Sequence, residues 1–199
     1  MTRITALVAT LAFATGLVGC SDASGPGEPE GPDDGVNFTW DGGTYHAAGL
    51  PSFSGQEIEP ETFAIAFPDS VGGLVVSGFE RKEGTVGDLF IIQLVQRATG
   101  TFTCGVGQNC HGRILEGVDA TDLQSVQTYW EIESGTVTVD TLTDDHIVGH
   151  FDGLVLGDDG TGATRSIENG TFDLELLSEA DGVDIMRCFL TRVTGGTCQ

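Results

Sequence analysis

The sequence predicts an all-β fold, a single antiparallel β-sandwich or barrel of about nine or ten strands. Short runs alternate between apolar and polar residues, the period of a half-buried strand. Gly-, Asp- and Asn-rich spacers separate them, and the 30 glycines of the 199 residues suit turns and bulges. No stretch carries a clear amphipathic-helix pattern, and at most a short helix fits within 117–124.

In chain order, Phe38-Thr39-Trp40 and Thr44-Tyr45-His46-Ala47 flank Asp41-Gly42-Gly43, a hairpin-type turn. Phe63, Ile65 and Phe67 alternate with alanines. Residues 74–79 and 89–95 are near-continuous apolar runs, as strands buried on both faces would be. Val126, Thr128, Trp130 and Ile132 share a face, and Val137 and Val139 follow in a separate short strand. A strand over 146–156 comes after Thr143-Asp144-Asp145, then Phe172, Leu174 and Leu176 alternate, and a last strand is expected over 183–192. Trp130, Val137, Val139, Phe151, Phe172 and Leu174 should point into one core, each contributing roughly 1.5–3 kcal/mol by burial.

Some of these segments resemble a group of uncharacterised bacterial lipoproteins. Residues 39–47 (TWDGGTYHA) are similar to that group's opening strand, with Tyr45 where Trp is usual. Ser134-Gly135-Thr136-Val137-Thr138-Val139, Ile147-Val148-Gly149-His150-Phe151 and Glu168-Asn169-Gly170-Thr171-Phe172-Asp173 resemble its core motifs; the four cysteines after residue 100 depart from the pattern. The resemblance implies an all-β, envelope-anchored domain and no particular activity.

The start of the chain has the layout of a secretory signal: Arg3, then 16 uncharged and mostly apolar residues, Ile4 to Gly19. That run is shorter than the roughly 20 residues that span a bilayer. Leu17-Val18-Gly19-Cys20 resembles the lipobox of bacterial lipoproteins. The resemblance implies removal of 1–19, diacylglyceryl on the Cys20 thiol and acylation, such as by palmitate, of the new amine. Two or three acyl chains anchor stably. Ser21 stands where Asp would favour inner-membrane retention, so the resemblance implies the outer membrane. Residues 21–35 hold four Gly, three Pro, five acidic residues and no large apolar side chain. They read as a flexible, charge-extended tether. The expected organisation is signal peptide 1–19, lipidated cysteine and tether 20–35, and one domain over 36–199.

The 8 basic and 30 acidic residues give a formal charge of −22, and losing 1–19 removes one basic residue and takes it to −23. Such a chain is repelled by nucleic acid and by anionic lipid; its electrostatic partners would be cations. Once Cys20 is lipidated, Cys104, Cys110, Cys188 and Cys198 remain, an even number in an exported, oxidising setting. Of the three pairings we expect the local ones, Cys104–Cys110 and Cys188–Cys198, each around a Gly-containing turn and each contributing about 2–3 kcal/mol. A zinc site with His111 fits less well, because paired zinc cysteines usually lie about two to four residues apart.

Catalytic motifs are missing from the sequence: there is no Gly-x-Ser-x-Gly, His-Glu-x-x-His or phosphate-binding loop. His146 and His150 share a strand face but stand about 13 Å apart, too far to grip one ion; only His46 or a strand neighbour could complete a site. Asp158-Asp159-Gly160 with Asp152 lacks the ligand spacing of a calcium loop and reads as an acidic turn. The expected function is therefore non-enzymatic, with no catalytic, cofactor or metal residue assigned. One reading is an envelope lipoprotein whose domain binds a small apolar ligand, a glycan or a protein; the other is a structural or accessory lipoprotein. A cavity lined by Trp40, Phe90 and Trp130 would favour the first, and a solid interior with an exposed apolar patch the second. Cys20→Ser should leave an uncut or soluble precursor. Fractionation decides it, and normal processing with normal membrane partitioning would overturn the assignment.

Overall fold

The computed structural model describes residues 35–40, 42–50, 62–84, 86–119, 125–158 and 160–193, with 188–193 in backbone only. Cys20, the tether up to residue 34, the 120–124 segment and Cys198 lie outside the described residues, as does the side chain of Cys188.

Ten antiparallel strands form one nearly closed, barrel-shaped sheet, so the fold is all-β. They are β1 (Gly35–Trp40), β2 (Gly43–Ala47), β3 (Thr62–Pro68), β4 (Leu74–Glu83), β5 (Val86–Leu94), β6 (Gly100–Thr103), β7 (Cys110–Asp119), β8 (Thr128–Leu142), β9 (His146–Asp158) and β10 (Thr164–Glu175). The order around the sheet is β2-β1-β10-β9-β8-β7-β5-β4-β3, with β6 also on β8. At the seam, β3 meets the chain that follows β10: Ala66 bridges to Leu176, and Leu177 N donates to Ala66 O at 2.8 Å. Ala64 N also donates to Gly49 O at 2.9 Å, just past β2.

The strand count agrees with expectation, but its composition differs. The segments read as 126–133 and 136–140 belong to one 15-residue strand, β8. Strands β6 and β7 were not foreseen. They run as one interrupted strand along β8, pairing with Val139 to Thr136 and then with Glu131 to Thr128. The interruption is the 105–109 turn, closed at its base by a Cys104–Cys110 disulfide with the Cα atoms 4.2 Å apart.

The expected strand over 183–192 is a helix, α1 (Glu179–Val193). Its start signal is Ser178-x-x-Asp181: Ser178 Oγ accepts from Asp181 N at 3.1 Å, an N-cap bond, and donates to Asp181 Oδ2 at 2.6 Å. Acidic Glu179 and Asp181 suit the positive end of the helix dipole. Alternating Val183 and Ile185 mimicked a strand, yet Val183, Ile185 and Met186 all pack on a second core made by Phe63, Ile65, Phe67, Phe79, Leu89 and Val118. This explains the doubly apolar runs. In β4 and β5, Leu74, Val76, Phe90, Ile92 and Leu94 face the barrel interior, whereas Val75, Phe79, Leu89 and Ile91 face the second core, on which α1 packs. Gly182 lets the helix come close, since a Cβ there would stand 2.1 Å from Phe67 Cγ.

The interior holds all six expected core residues, Trp130, Val137, Val139, Phe151, Phe172 and Leu174. Two G-x-F segments organise it. Gly149-His150-Phe151 on β9 and Gly170-Thr171-Phe172 on β10 run antiparallel, placing Gly149 opposite Phe172 and Gly170 opposite Phe151. Each ring lies over the other strand's glycine: a Cβ on Gly170 would meet Phe151 Cδ2 at 2.1 Å, and one on Gly149 would meet Phe172 Cζ at 2.3 Å. Just beyond this pair, β8, β9 and β10 change which face points inward. Ile132 gives way to Val137, Leu154 to Phe151 and Ile167 to Phe172, each an odd step. Gly135 (φ 118°), Gly153 (φ 57°) and Asn169 (φ 52°) absorb the switch at one level of the sheet.

Gly170→Ala should destabilise the domain by roughly 1–3 kcal/mol through overpacking on the Phe151 ring. In a Phe151→Leu background the same change should cost less. Denaturant unfolding of the four chains checks this coupling, and strictly additive effects would show that the ring and the glycine are independent.

Candidate functional site

Chain direction gives the barrel two ends. At the proximal end β1 begins, and the turns at 69–73, 95–99 and 143–145 lie. At the distal end lie the turns around 42, 84 and 160–163.

Between the ends, the interior is filled by rings in contact. Phe38 of β1 reaches across the barrel to Phe90 of β5 at 5.1 Å between centroids, Phe90 meets Phe151 at 5.3 Å, and Phe151 meets Phe172 at 5.4 Å. Tyr45 stacks on Phe38 at 4.3 Å. Of the three aromatic residues that could have lined a cavity, Phe90 sits within this stack, and Trp40 and Trp130 meet edge to face at 5.9 Å at the distal end.

The distal mouth concentrates polar chemistry. The Arg165 guanidinium lies between the two indoles, 4.8 Å from the Trp40 ring centre and 4.4 Å from that of Trp130. Glu116 ties the group together, accepting from Arg165 Nη1 at 2.8 Å and from Trp130 Nε1 at 2.7 Å. Strands fix each part: β1 ends at Trp40, β8 begins two residues before Trp130, β10 begins at Thr164, and Glu116 is the inward residue of β7 before its bulge at Gly117. Beside it, Lys82 pairs with Glu80 and lies 4.0 Å from Asp88. Asp88 Oδ1 accepts from Gly117 N at 3.1 Å. A cleft of about 420 Å³ opens here, lined by Lys82, Asp88, Glu116, Gln127 and Thr128 among others.

Burial raises the Asp88 carboxyl above the usual carboxylate range, against the hydrogen bond from Gly117 and the nearby Lys82 charge; Glu116 and Glu80 add to the rise. Tyr45 is also raised, first by burial and then by the charges of Glu80 and Asp88.

The histidines are not brought together. His46, Asn37, Thr171 and His150 are successive register partners across β2, β1, β10 and β9, which puts the two histidines three strands, or about 14 Å, apart. His46 pairs with Asn37. His146 Nε2 lies 2.7 Å from Asp173, and His150 lies 2.7 Å from Asp140 and 3.2 Å from Asp152. Asp173 and Asp140 sit on neighbouring strands, where no sequence spacing announces them, whereas Asp152 stands two residues from His150 on the same face of β9. At the acidic turn, Asp158 accepts from Gly160 N at 2.9 Å and from the Thr161 hydroxyl at 2.7 Å, bonds that lower its pKa and use its oxygens locally. Sequence reasoning missed Arg165, Glu116 and Asp88. The one available sign was a rare arginine in a chain of 8 basic and 30 acidic residues.

No family model, curated protein or solved structure matches the chain.

A carboxyl with a folded-state pKa above its unfolded one binds protons more readily in the native chain. Asp88 therefore removes stability as pH rises from the ordinary carboxylate range through its raised pKa, and the loss is complete above that. Because the group is partly solvated, Asp88→Asn should raise Tm at neutral pH by only about 1–3 °C. The gain should vanish below about pH 3.5, where Asp is protonated in the unfolded chain too. Thermal scans across pH test this; an Asn variant less stable at pH 7 and equal at pH 3 would reverse the sign.

Proposed function

We propose that this chain is a lipid-anchored protein of the bacterial cell envelope, probed at the outer membrane first, whose β-domain binds a polar ligand at its distal mouth and catalyses nothing. The anchor reading rests on the lipobox at 17–20 and the acidic tether behind it. The observation that carries the binding reading is the division of the barrel: an interior occupied by Phe38, Phe90, Phe151 and Phe172, and an open cleft where charged and amide groups converge beside two indoles. Barrel mouths with a few fixed polar groups are common ligand sites. Of the ligand classes considered, a glycan suits this mouth best. Hydroxyls match the carboxylates of Asp88 and Glu116, the Gln127 amide and the Thr128 hydroxyl. A small apolar ligand finds its natural volume already taken by phenylalanines. The filled interior also favours the second reading, an accessory lipoprotein that contacts another envelope protein.

The chain's two tryptophans are both at this mouth, so their emission reports on it. Titration with a panel of neutral and N-acetylated oligosaccharides should shift that emission saturably for at least one of them. Glu116→Gln should then weaken binding by about 1–2 kcal/mol, roughly tenfold. A panel that leaves both indoles unperturbed while a pull-down with envelope proteins succeeds would favour the accessory role.

A further inference from the structure

We propose that the distal mouth is the inner half of a longer groove that runs over the lip of the barrel, and that its ligand is an oligosaccharide long enough to reach the Tyr129 ring on the outer wall. The inference rests on the reading of the mouth as a glycan site.

Two clefts carry it. The mouth cleft of about 420 Å³ and a second cleft of about 600 Å³ share Gln127 and Thr128 in their walls. The second is also lined by Leu115, Tyr129 and Asp158. Strand register explains why the two meet. Thr128, the first residue of β8, pairs with Glu116 of β7, and Tyr129 pairs with Leu115. Successive residues of a strand point to opposite faces. Thr128 and Glu116 share the face of Trp130 and Ile114, which line the barrel interior. Tyr129 and Leu115 face outward, where Leu115 packs against the second core. Because β8 begins here, its inner and outer faces meet at a lip that a ligand can cross.

Both parts of the groove are fixed. The Gln127 side chain lies directly over Gly117, where a Cβ would stand 2.6 Å from Gln127 Cγ, and Gln127 N donates to Glu116 O at 2.9 Å. These contacts hold the amide between the two clefts. In the outer one, the Arg113 guanidinium steadies the half-buried Tyr129 ring, 5.6 Å from its centre. Asp158 Oδ1 accepts from Gly160 N at 2.9 Å and Oδ2 from the Thr161 hydroxyl at 2.7 Å. Those bonds orient the carboxylate and leave a lone pair on each oxygen for a ligand.

The ligand class follows from the repetition. Inside the lip stand the carboxylates of Asp88 and Glu116 with the Thr128 hydroxyl; outside stands the Asp158 carboxylate beside an aromatic ring; the Gln127 amide borders both. Acceptors repeated along one path suit a chain of like, neutral, hydroxyl-rich units. A ligand that touches both Asp88 and Tyr129 must pass from one face of β8 to the other, a reach that takes more than one sugar ring.

The test is calorimetric titration of the full mature chain with two series of sugars, N-acetylglucosamine oligomers and glucose oligomers, each from monomer to hexamer. Affinity should rise about tenfold or more between the shortest oligomer that binds and the longest. Tyr129→Ala should abolish that rise and leave the shortest binder within about twofold of wild type, which also shows the variant folded. Tyr129→Leu, which keeps bulk without the flat ring, should behave as the alanine variant does, and Tyr129→Phe should keep the rise. Affinity independent of length, or a rise that survives both ring removals, overturns the groove and leaves the mouth as a glycan site. Equal weakening at every length in both variants also overturns it, since the ring would then only support the mouth. A wild-type chain that binds no oligomer of either series overturns the glycan reading and this inference with it.

Discussion

The ring-over-glycine pairing of Phe151 with Gly170 and Phe172 with Gly149 is the constraint on which the barrel's interior depends. A glycine in a strand ordinarily weakens it, because nothing packs and the backbone loses more freedom on ordering. Here each glycine provides the floor on which the opposite phenylalanine lies, with ring atoms 2.1–2.8 Å from where a Cβ would be. The rings are thereby held flat over β9 and β10, and Phe151 meets Phe38 of β1, the strand next to β10, and Phe90 of β5 across the barrel. Any side chain at either glycine would lift a ring and loosen contacts that link β1, β5, β9 and β10 at once.

The face switch beside that pairing follows from it. Regular alternation would carry the inward set of β8, β9 and β10 onward in one parity, but Gly135, Gly153 and Asn169 shift it together. Inserted residues increase local twist and bend a strand, and three aligned bends let long strands, up to the 15 residues of β8, curve around so small a core. Above the switch β8, β9 and β10 turn Ile132, Leu154, Leu156 and Ile167 inward and end in Trp130 and Arg165; below it Phe151 and Phe172 join Val137, Val139, Ile147 and Leu174. A core closed at its centre leaves the two ends as the surfaces with chemistry to offer.

Much of this was legible. The alternation at 63–67, 136–140 and 172–176 and the two-sided runs at 74–79 and 89–95 reported burial directly, because side-chain direction in a strand is fixed by position alone. The G-x-F motifs were visible as a resemblance, but their meaning required the register that sets one against the other. The two-sided runs also implied a cover that strand reading could not supply, and the Ser178-Glu179-Ala180-Asp181 start of α1 was the sign that it was a helix. Strands β6 and β7 were hidden because Phe102 stands alone among threonines and the 105–109 turn breaks the period. The distal cluster was illegible for a different reason: Trp40, Glu116, Trp130 and Arg165 come from four strands, and their meeting depends on strand order, which no local pattern encodes.

Charge distribution carries the functional argument one step further. With 8 basic against 30 acidic residues, each cation matters for where the field is relieved. Arg97 reaches Asp144 at 3.8 Å on the open surface, a pair worth little in water. Lys82 and Arg165 are instead placed at the distal mouth against Glu80, Asp88 and Glu116, carboxylates far less exposed than Asp144, so each pair there weighs more. Burial is the first cause of the raised carboxyl of Asp88, and the charges of Glu116 and Glu80 add to it. The mouth thus sets two cations among three carboxylates and keeps acceptors in excess. A cationic ligand would have to compete with Arg165 for the indole faces and with Lys82 for the carboxylates, and an anionic one would meet the unrelieved field of the whole chain.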